Sequence, residues 1–142
     1  MNIKAPSSHK NKEPESRVLY IVGTPIGNLS DLSQRALNIL KNVSFIACED
    51  TRQTIKIMKK YEFKNKLISF NKHNSHSKTP MIINYLNSGK SIAIVSDAGM
   101  PGICDPGEEI VRDAKSNGIN IICIPGPCAA LTALVSSGMP SS

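Results

Sequence analysis

Three ionisable residues stand within one four-residue step of the stretch "CEDTR": Glu49, Asp50 and Arg52. Adjacent carboxylates can accept a proton or orient a hydroxyl, and a guanidinium can hold a phosphate through two parallel hydrogen bonds. The same trio would equally serve as an acid–base network capping a helix. A second stretch, "VSDAGMPGICDPGEEIV" (residues 95–111), places three glycines, two prolines and two aspartates between Asp97 and Gly107, with no Lys or Arg among them. Two shorter stretches share this character, "GTPIGNL" (23–29) and "PGPCAA" (125–130). Such backbones either build tight turns or let a ligand approach the main chain closely.

The composition of these stretches narrows the ligand. A phosphate-binding loop needs GxxxxGK followed by Ser or Thr, and "GTPIGN" has no lysine. The dinucleotide pattern GxGxxG is absent, and Pro25 removes a backbone donor. Glu49, Asp50, Asp97 and Asp105 would repel a polyphosphate. Carboxylates beside bare backbone suit a ligand with a cationic centre, a flat base and a ribose. S-adenosylmethionine has those parts, although composition alone does not name it.

Charge is unevenly distributed. The net charge is +6 over 142 residues, and Arg52 to Lys78 holds eight basic residues against Glu62 alone. From Asp97 onward there are five acids and two bases. The basic stretch is either a solubilising face or a nucleic-acid surface, with Arg52, Lys56, Lys59 and Lys60 as its candidate contacts, which the resemblance given below assigns to RNA. With three Phe, three Tyr and no Trp, stacking on an aromatic platform is not expected to dominate. The four cysteines form no CxxC pair and have no His at ligand spacing, so no metal site is expected.

These residues need a scaffold, and the apolar pattern supplies one. Short apolar runs at 18–22, 43–48, 67–70, 91–95 and 119–124 read as strands. Helical patterns follow at 29–40, with Ser30 as its predicted cap, then at 51–61, 80–86 (closed by Gly89), 108–116 and 128–135. Strand–helix alternation predicts an α/β fold: a mostly parallel five-stranded sheet with helices on both faces. The β-branched fourth and fifth strands are expected at its centre. Ligands then bind beyond the carboxyl ends of the strands, where the glycine-rich stretches fall. Residues 1–16 have no apolar core and are expected to be a disordered, solvated tail, leaving 17–142 as the domain. No apolar run is long enough to span a bilayer, and a cytoplasmic protein is expected.

Read together, "LYIVGTPIGNLSDLSQRAL", "IACEDTR", "IVSDAGMPGICDPG" and "IPGPCAALTAL" resemble the small-subunit ribosomal RNA methyltransferases of the tetrapyrrole-methylase class. The resemblance runs from Val18 to the last residue, and "SFNKHN" adds His73 and Asn74. It implies S-adenosylmethionine as cofactor, 2′-O-methylation of a cytidine ribose in 16S rRNA of the small ribosomal subunit, and a homodimer. It also implies a second α/β domain beyond about Ser142, with the cofactor held between the two. The expected cofactor contacts are Asp97, Ala98, Gly99, Pro101, Gly102 and Ile103, with Pro125, Gly126, Pro127 and Ala129. Asp50, Arg52 and Glu49 are the candidates for substrate-side chemistry, and His73 and Asn74 join the RNA contacts. Met100, Cys104 and Cys128 stand where the family usually has Thr, Ser and Ser. A small-molecule, tetrapyrrole-type methyltransferase and a non-catalytic RNA-binding fragment remain the alternatives.

Overall fold

The computed structural model describes residues 12–103 and 106–141. Within them five strands, β1 (Val18–Val22), β2 (Phe45–Cys48), β3 (Leu67–Ser69), β4 (Ile92–Val95) and β5 (Asn120–Ile124), alternate with five helices. The helices are α1 (Gln34–Asn42), α2 (Thr51–Lys60), α3 (Ser75–Asn87), α4 (Gly107–Ser116) and α5 (Ala129–Ser137). All pairings are parallel, in the order β3-β2-β4-β1-β5.

Side chains alternate between the two faces of a strand, and here both faces are apolar. Val18, Tyr20, Val22, Ile46 and Val95 pack on one side with Leu37 and Leu40 of α1 and Ile57 of α2. Leu19, Ile21, Phe45, Ala47 and Ile94 pack on the other with Ile82 and Leu86 of α3 and Ile110 of α4. Each buried Ile or Leu contributes about 2–5 kcal/mol against truncation to Ala. Sheet, parallel direction and helices on both faces match the sequence expectation.

β4 is central, between β2 and β1. The chain leaves β1 and β2 for helices on one face and leaves β4 for α4 on the other. That divergence opens a crevice beyond the carboxyl end of β4.

Four expectations need correction. β5 is an edge strand, with Asn120 and Cys123 exposed, because the chain returns to the outer side of β1. Its β-branched residues still face helices on one side, so composition alone did not separate edge from centre. Ser33, not Ser30, caps α1, accepting from the Ala36 N–H at 3.0 Å, while Leu29–Asp31 forms a separate single turn capped by Asn28. α3 starts at Ser75 and carries Pro80 inside it rather than at its start. Ahead of Pro80 the backbone is already helical, the Ser75 and Lys78 N–H groups donating to the Asn71 and Asn74 carbonyls, and the Ser77 and Thr79 hydroxyls bond back to the Asn74 and Ser75 carbonyls.

The fourth correction concerns the expected tail. Residues 1–11 lie outside the described residues, but 13–16 pack onto the domain. Glu13 pairs with Arg35 at 2.6 Å, Tyr20 Oη accepts from the Glu15 N–H at 2.8 Å, and Ser16 donates to the Gly89 carbonyl at 2.7 Å. Bonding to Glu13 raises the Arg35 pKa.

Candidate active site

The segments following β1, β2, β4 and β5 meet beyond the carboxyl edge of the sheet. Gly23 continues β1, donating its N–H to the Ile124 carbonyl at 3.1 Å. A Cβ on Gly23 would stand 2.7 Å from Gly126 Cα, and one on Gly126 would stand 2.8 Å from Gly23. Only glycine at both positions lets these two loops touch. Thr24 and Gly99 exchange both backbone hydrogen bonds at 3.0 Å, which joins the β1 and β4 loops. Gly99 has φ +78, a left-handed conformation that favours glycine.

The acids complete the lattice. Asp97 Oδ1 accepts from the Asp50 N–H at 2.9 Å, and Glu49 Oε2 accepts from the Asp97 N–H at 3.4 Å. Asp50 caps α2, accepting from the Arg52 N–H at 2.9 Å, and its carboxylate also receives Arg52 Nε at 3.0 Å and Nη2 at 2.7 Å. These bonds hold the Asp50 pKa below the ordinary carboxylate value and raise that of Arg52. The capping network weighed from sequence is therefore present. The Arg52 side chain remains 85% exposed, so its outer edge faces solvent.

A cleft of about 380 Å³ lies among Pro25, Ile26, Gly27, Gln53, Lys56, Asp97 and Ala98. Of the residues expected at the cofactor, Asp97 and Ala98 line it directly. Gly99 is buried beneath them, and a Cβ there would stand 3.4 Å from the Pro127 carbonyl, so Pro127 is adjacent. Pro101 is buried, while Gly102 and Ile103 are exposed at the loop tip, Gly102 with φ +92. Pro125 and Ala129 are exposed, and Gly126 is half-buried against Gly23. Glu49 does not line the cleft; it borders a separate space of about 10 Å³ with Ser96, Pro101 and Pro106. Cys104 and Asp105 lie outside the described residues.

Two features escaped the sequence. Gln53 lines the cleft one turn into α2, its Oε1 accepting from Lys56 Nζ at 3.0 Å, which also puts Lys56 at the cleft. Gln53 is one helical step of three from Asp50, and Lys56 one such step from Gln53, which would have signalled both. Thr24 is 1% exposed and its Oγ1 has no hydrogen-bond partner among the described residues. A buried hydroxyl left unpaired is costly, and no sequence pattern reveals it.

The residues expected at RNA divide. Arg52, Lys56, Lys59 and Lys60 follow i, i+4, i+7, i+8 spacing and form a stripe opposite the buried Thr54 and Ile57. His73 is exposed. Asn74 is instead engaged within its own loop: its Oδ1 accepts from the Asn71 N–H at 2.9 Å and its Nδ2 donates to Ser69. Among the described residues, no group of three His, Cys, Asp or Glu is placed to hold a metal ion. Among them, too, no helix is long and apolar enough to cross a membrane.

The sequence profile of the tetrapyrrole (corrin/porphyrin) methylases matches residues 18–142, from the start of β1 onward. The chain belongs to the tetrapyrrole methylase family. Relatives named ribosomal RNA small subunit methyltransferase I include one from Bacillus subtilis (strain 168), 50% identical over 129 residues, and one from Vibrio cholerae, 48% identical over 124. The matches cover 91% and 87% of this chain but 44% and 43% of those proteins, so the chain spans less than half their length. Two solved structures share the tetrapyrrole methylase fold seen here. Uroporphyrin-III-C-methyltransferase from Thermus thermophilus superposes with a TM-score of 0.65 at 21% identity, over 88% of this chain and 53% of that one. A conserved hypothetical protein from Aeropyrum pernix K1 gives 0.73 at 14% identity, over 89% of this chain and 45% of that one. Methyl transfer is the family's chemistry, and the two relatives above are named for ribosomal RNA of the small subunit.

Proposed function

We propose that this chain forms one wall of an S-adenosylmethionine site in an enzyme that methylates a cytidine ribose 2′-hydroxyl of 16S rRNA. The observation that carries the proposal is the joining of four loops at one sheet edge beside a basic helix. The Arg52–Lys60 stripe runs along α2, which favours an extended polyanion over a compact acceptor.

The residues present fit the cofactor. A cleft of about 380 Å³ is within the usual size of small-ligand sites. The Asp97 carboxylate borders it, complementary to a cationic centre, and the Gly23–Gly126 contact keeps the loops free of side-chain bulk. Asp97, Ala98, Gly99, Pro101, Gly102 and Ile103 would hold the cofactor from the β4 side, and Pro125, Gly126, Pro127 and Ala129 from the β5 side. When bound, S-adenosylmethionine supplies an electrophilic methyl group.

The protein's own residues then position the acceptor. Arg52 presents the outer edge of its guanidinium to a phosphate next to the target ribose, while Asp50 fixes its orientation. Lys56, at the cleft rim, takes a second phosphate. Because displacement demands in-line geometry, such positioning supplies much of the rate. Glu49 or Asp50 accepts the ribose proton in this proposal; the Arg52 bonds that lower the Asp50 pKa also weaken it as a base, so its stronger part is to orient Arg52. A cytoplasmic homodimer acting on the small ribosomal subunit completes the proposal.

The test exchanges this chain for the matching stretch of its full-length Bacillus subtilis relative. Labelled S-adenosylmethionine is then offered with small subunits, naked rRNA or a porphyrin acceptor. The expected product is 2′-O-methylcytidine in digested 16S rRNA. Label on the porphyrin, or on a base instead of a ribose, would overturn the proposal.

A further inference from the structure

On the flank of α2 away from the cleft lies an open groove of about 570 Å³, lined by Ile55, Met58, Lys59, Glu62, Phe63 and Lys64. Ile55, Met58 and Lys59 share this flank by their helical spacing, next to the buried side of α2 and with Lys59 at the edge of its basic stripe, while Glu62 lies beyond the helix end at Lys60. The groove exists because the chain reverses sharply after α2. Glu62 adopts φ +50, and the Phe63 N–H then donates to the Met58 carbonyl at 3.0 Å, which folds Phe63 back beside the helix. Its floor is apolar and Ile55 is 39% exposed, an unusual position for isoleucine beside so many lysines. Lys59, Lys60 and Lys64 are absent from the ion pairs formed among the described residues. Glu62 is the one acid between Arg52 and Lys78.

We propose that this groove seats one unpaired RNA base bearing an exocyclic amine, from a nucleotide near the one bound at the cleft. The inference rests on the RNA reading above and adds a second, base-selective contact to it. Ile55, Met58 and Phe63 cover the base faces, which requires a single ring and no extended aromatic platform. Glu62 accepts from the exocyclic amine, as carboxylates do with the amine of cytosine. Lys59 and Lys64 neutralise the flanking phosphates, and the stripe through Lys56 and Arg52 leads the strand toward the cleft. The charge pattern, cationic rim around an apolar floor with one acceptor, matches a nucleotide better than an apolar peptide or a second copy of the chain.

The experiment uses the same full-length exchange protein and single-stranded oligoribonucleotides carrying 5-iodocytidine or 5-iodouridine. Photocrosslinks are mapped by mass spectrometry, and affinity is measured over a range of salt. Crosslinks are expected at Met58 or Phe63, stronger with cytidine than uridine, with that preference lost in Glu62→Gln. Ile55→Glu, at an exposed position that does not endanger folding, should weaken binding about tenfold. Lys59→Ala with Lys64→Ala should lower the salt slope by about 1.4. RNA binding of normal affinity without groove crosslinks, and unchanged in Ile55→Glu, would overturn the groove while leaving the RNA reading intact. Loss of self-association in Ile55→Glu with RNA binding unchanged would assign the groove to a second copy and also overturn it. No RNA binding by the unsubstituted protein would overturn both.

Discussion

At the scale of single residues, Asp50 joins the β2 loop, the β4 loop and the start of α2. Its N–H is held by Asp97 and its carboxylate by Arg52. Because its folded pKa is depressed, the contribution of this cap is present above the ordinary value of 3.8 and is lost as pH falls through the lowered one. Arg52→Ala should move the Asp50 titration upward toward 3.8, read from its carboxyl carbon shift; an unmoved titration would contradict the pairing. Gly126→Ala should destabilise the domain by about 1–3 kcal/mol in chemical denaturation, since the added carbon meets Gly23 backbone at 2.8 Å rather than a yielding side chain. The sequence displayed these glycines and acids as a cluster of unusual types. It did not display the partners, because the Thr24–Gly99 and Asp50–Asp97 contacts join residues far apart in the chain.

At the scale of elements, strand positions were legible because each apolar run is short and bounded by polar or turn residues. Helix starts were less so. Ser30 and Ser33 are both good capping types, and the choice depends on where the chain leaves the sheet. With the Leu29–Asp31 turn preceding it, Ser33 alone meets the first free N–H groups of α1. Ser33→Ala should therefore cost about 1 kcal/mol of stability and Ser30→Ala close to none. Equal losses from the two substitutions would contradict this assignment. Pro80 masked the start of α3 for a similar reason: a proline reads as a boundary, yet the chain is already helical from Ser75, with the Lys78 N–H donating to the Asn74 carbonyl. α2 serves two purposes at once, burying Thr54 and Ile57 while presenting its cationic stripe; its basic run was legible, but the apolar Ile55 and Met58 did not mark the buried side, and Ile55 stands 39% exposed.

At the scale of the whole molecule, strand order decides where the site lies. With β4 between β2 and β1, the loops leaving neighbouring strands diverge to opposite faces. The glycine-rich segments thus converge over the sheet centre. That order is not written in local sequence, which is why β5 was expected at the centre and stands at the edge. Beyond β5, α5 exposes Leu131 and Val135, at 63% and 84%. The central claim is that cofactor and RNA engage different, adjoining parts of this edge. Hydrogen exchange of the full-length exchange protein tests it most directly, with S-adenosylhomocysteine and RNA added separately. The account predicts cofactor protection in 97–103 and 125–129 and RNA protection in 52–66. Cofactor protection confined to α2, or RNA protection confined to the loops after β4 and β5, would contradict it.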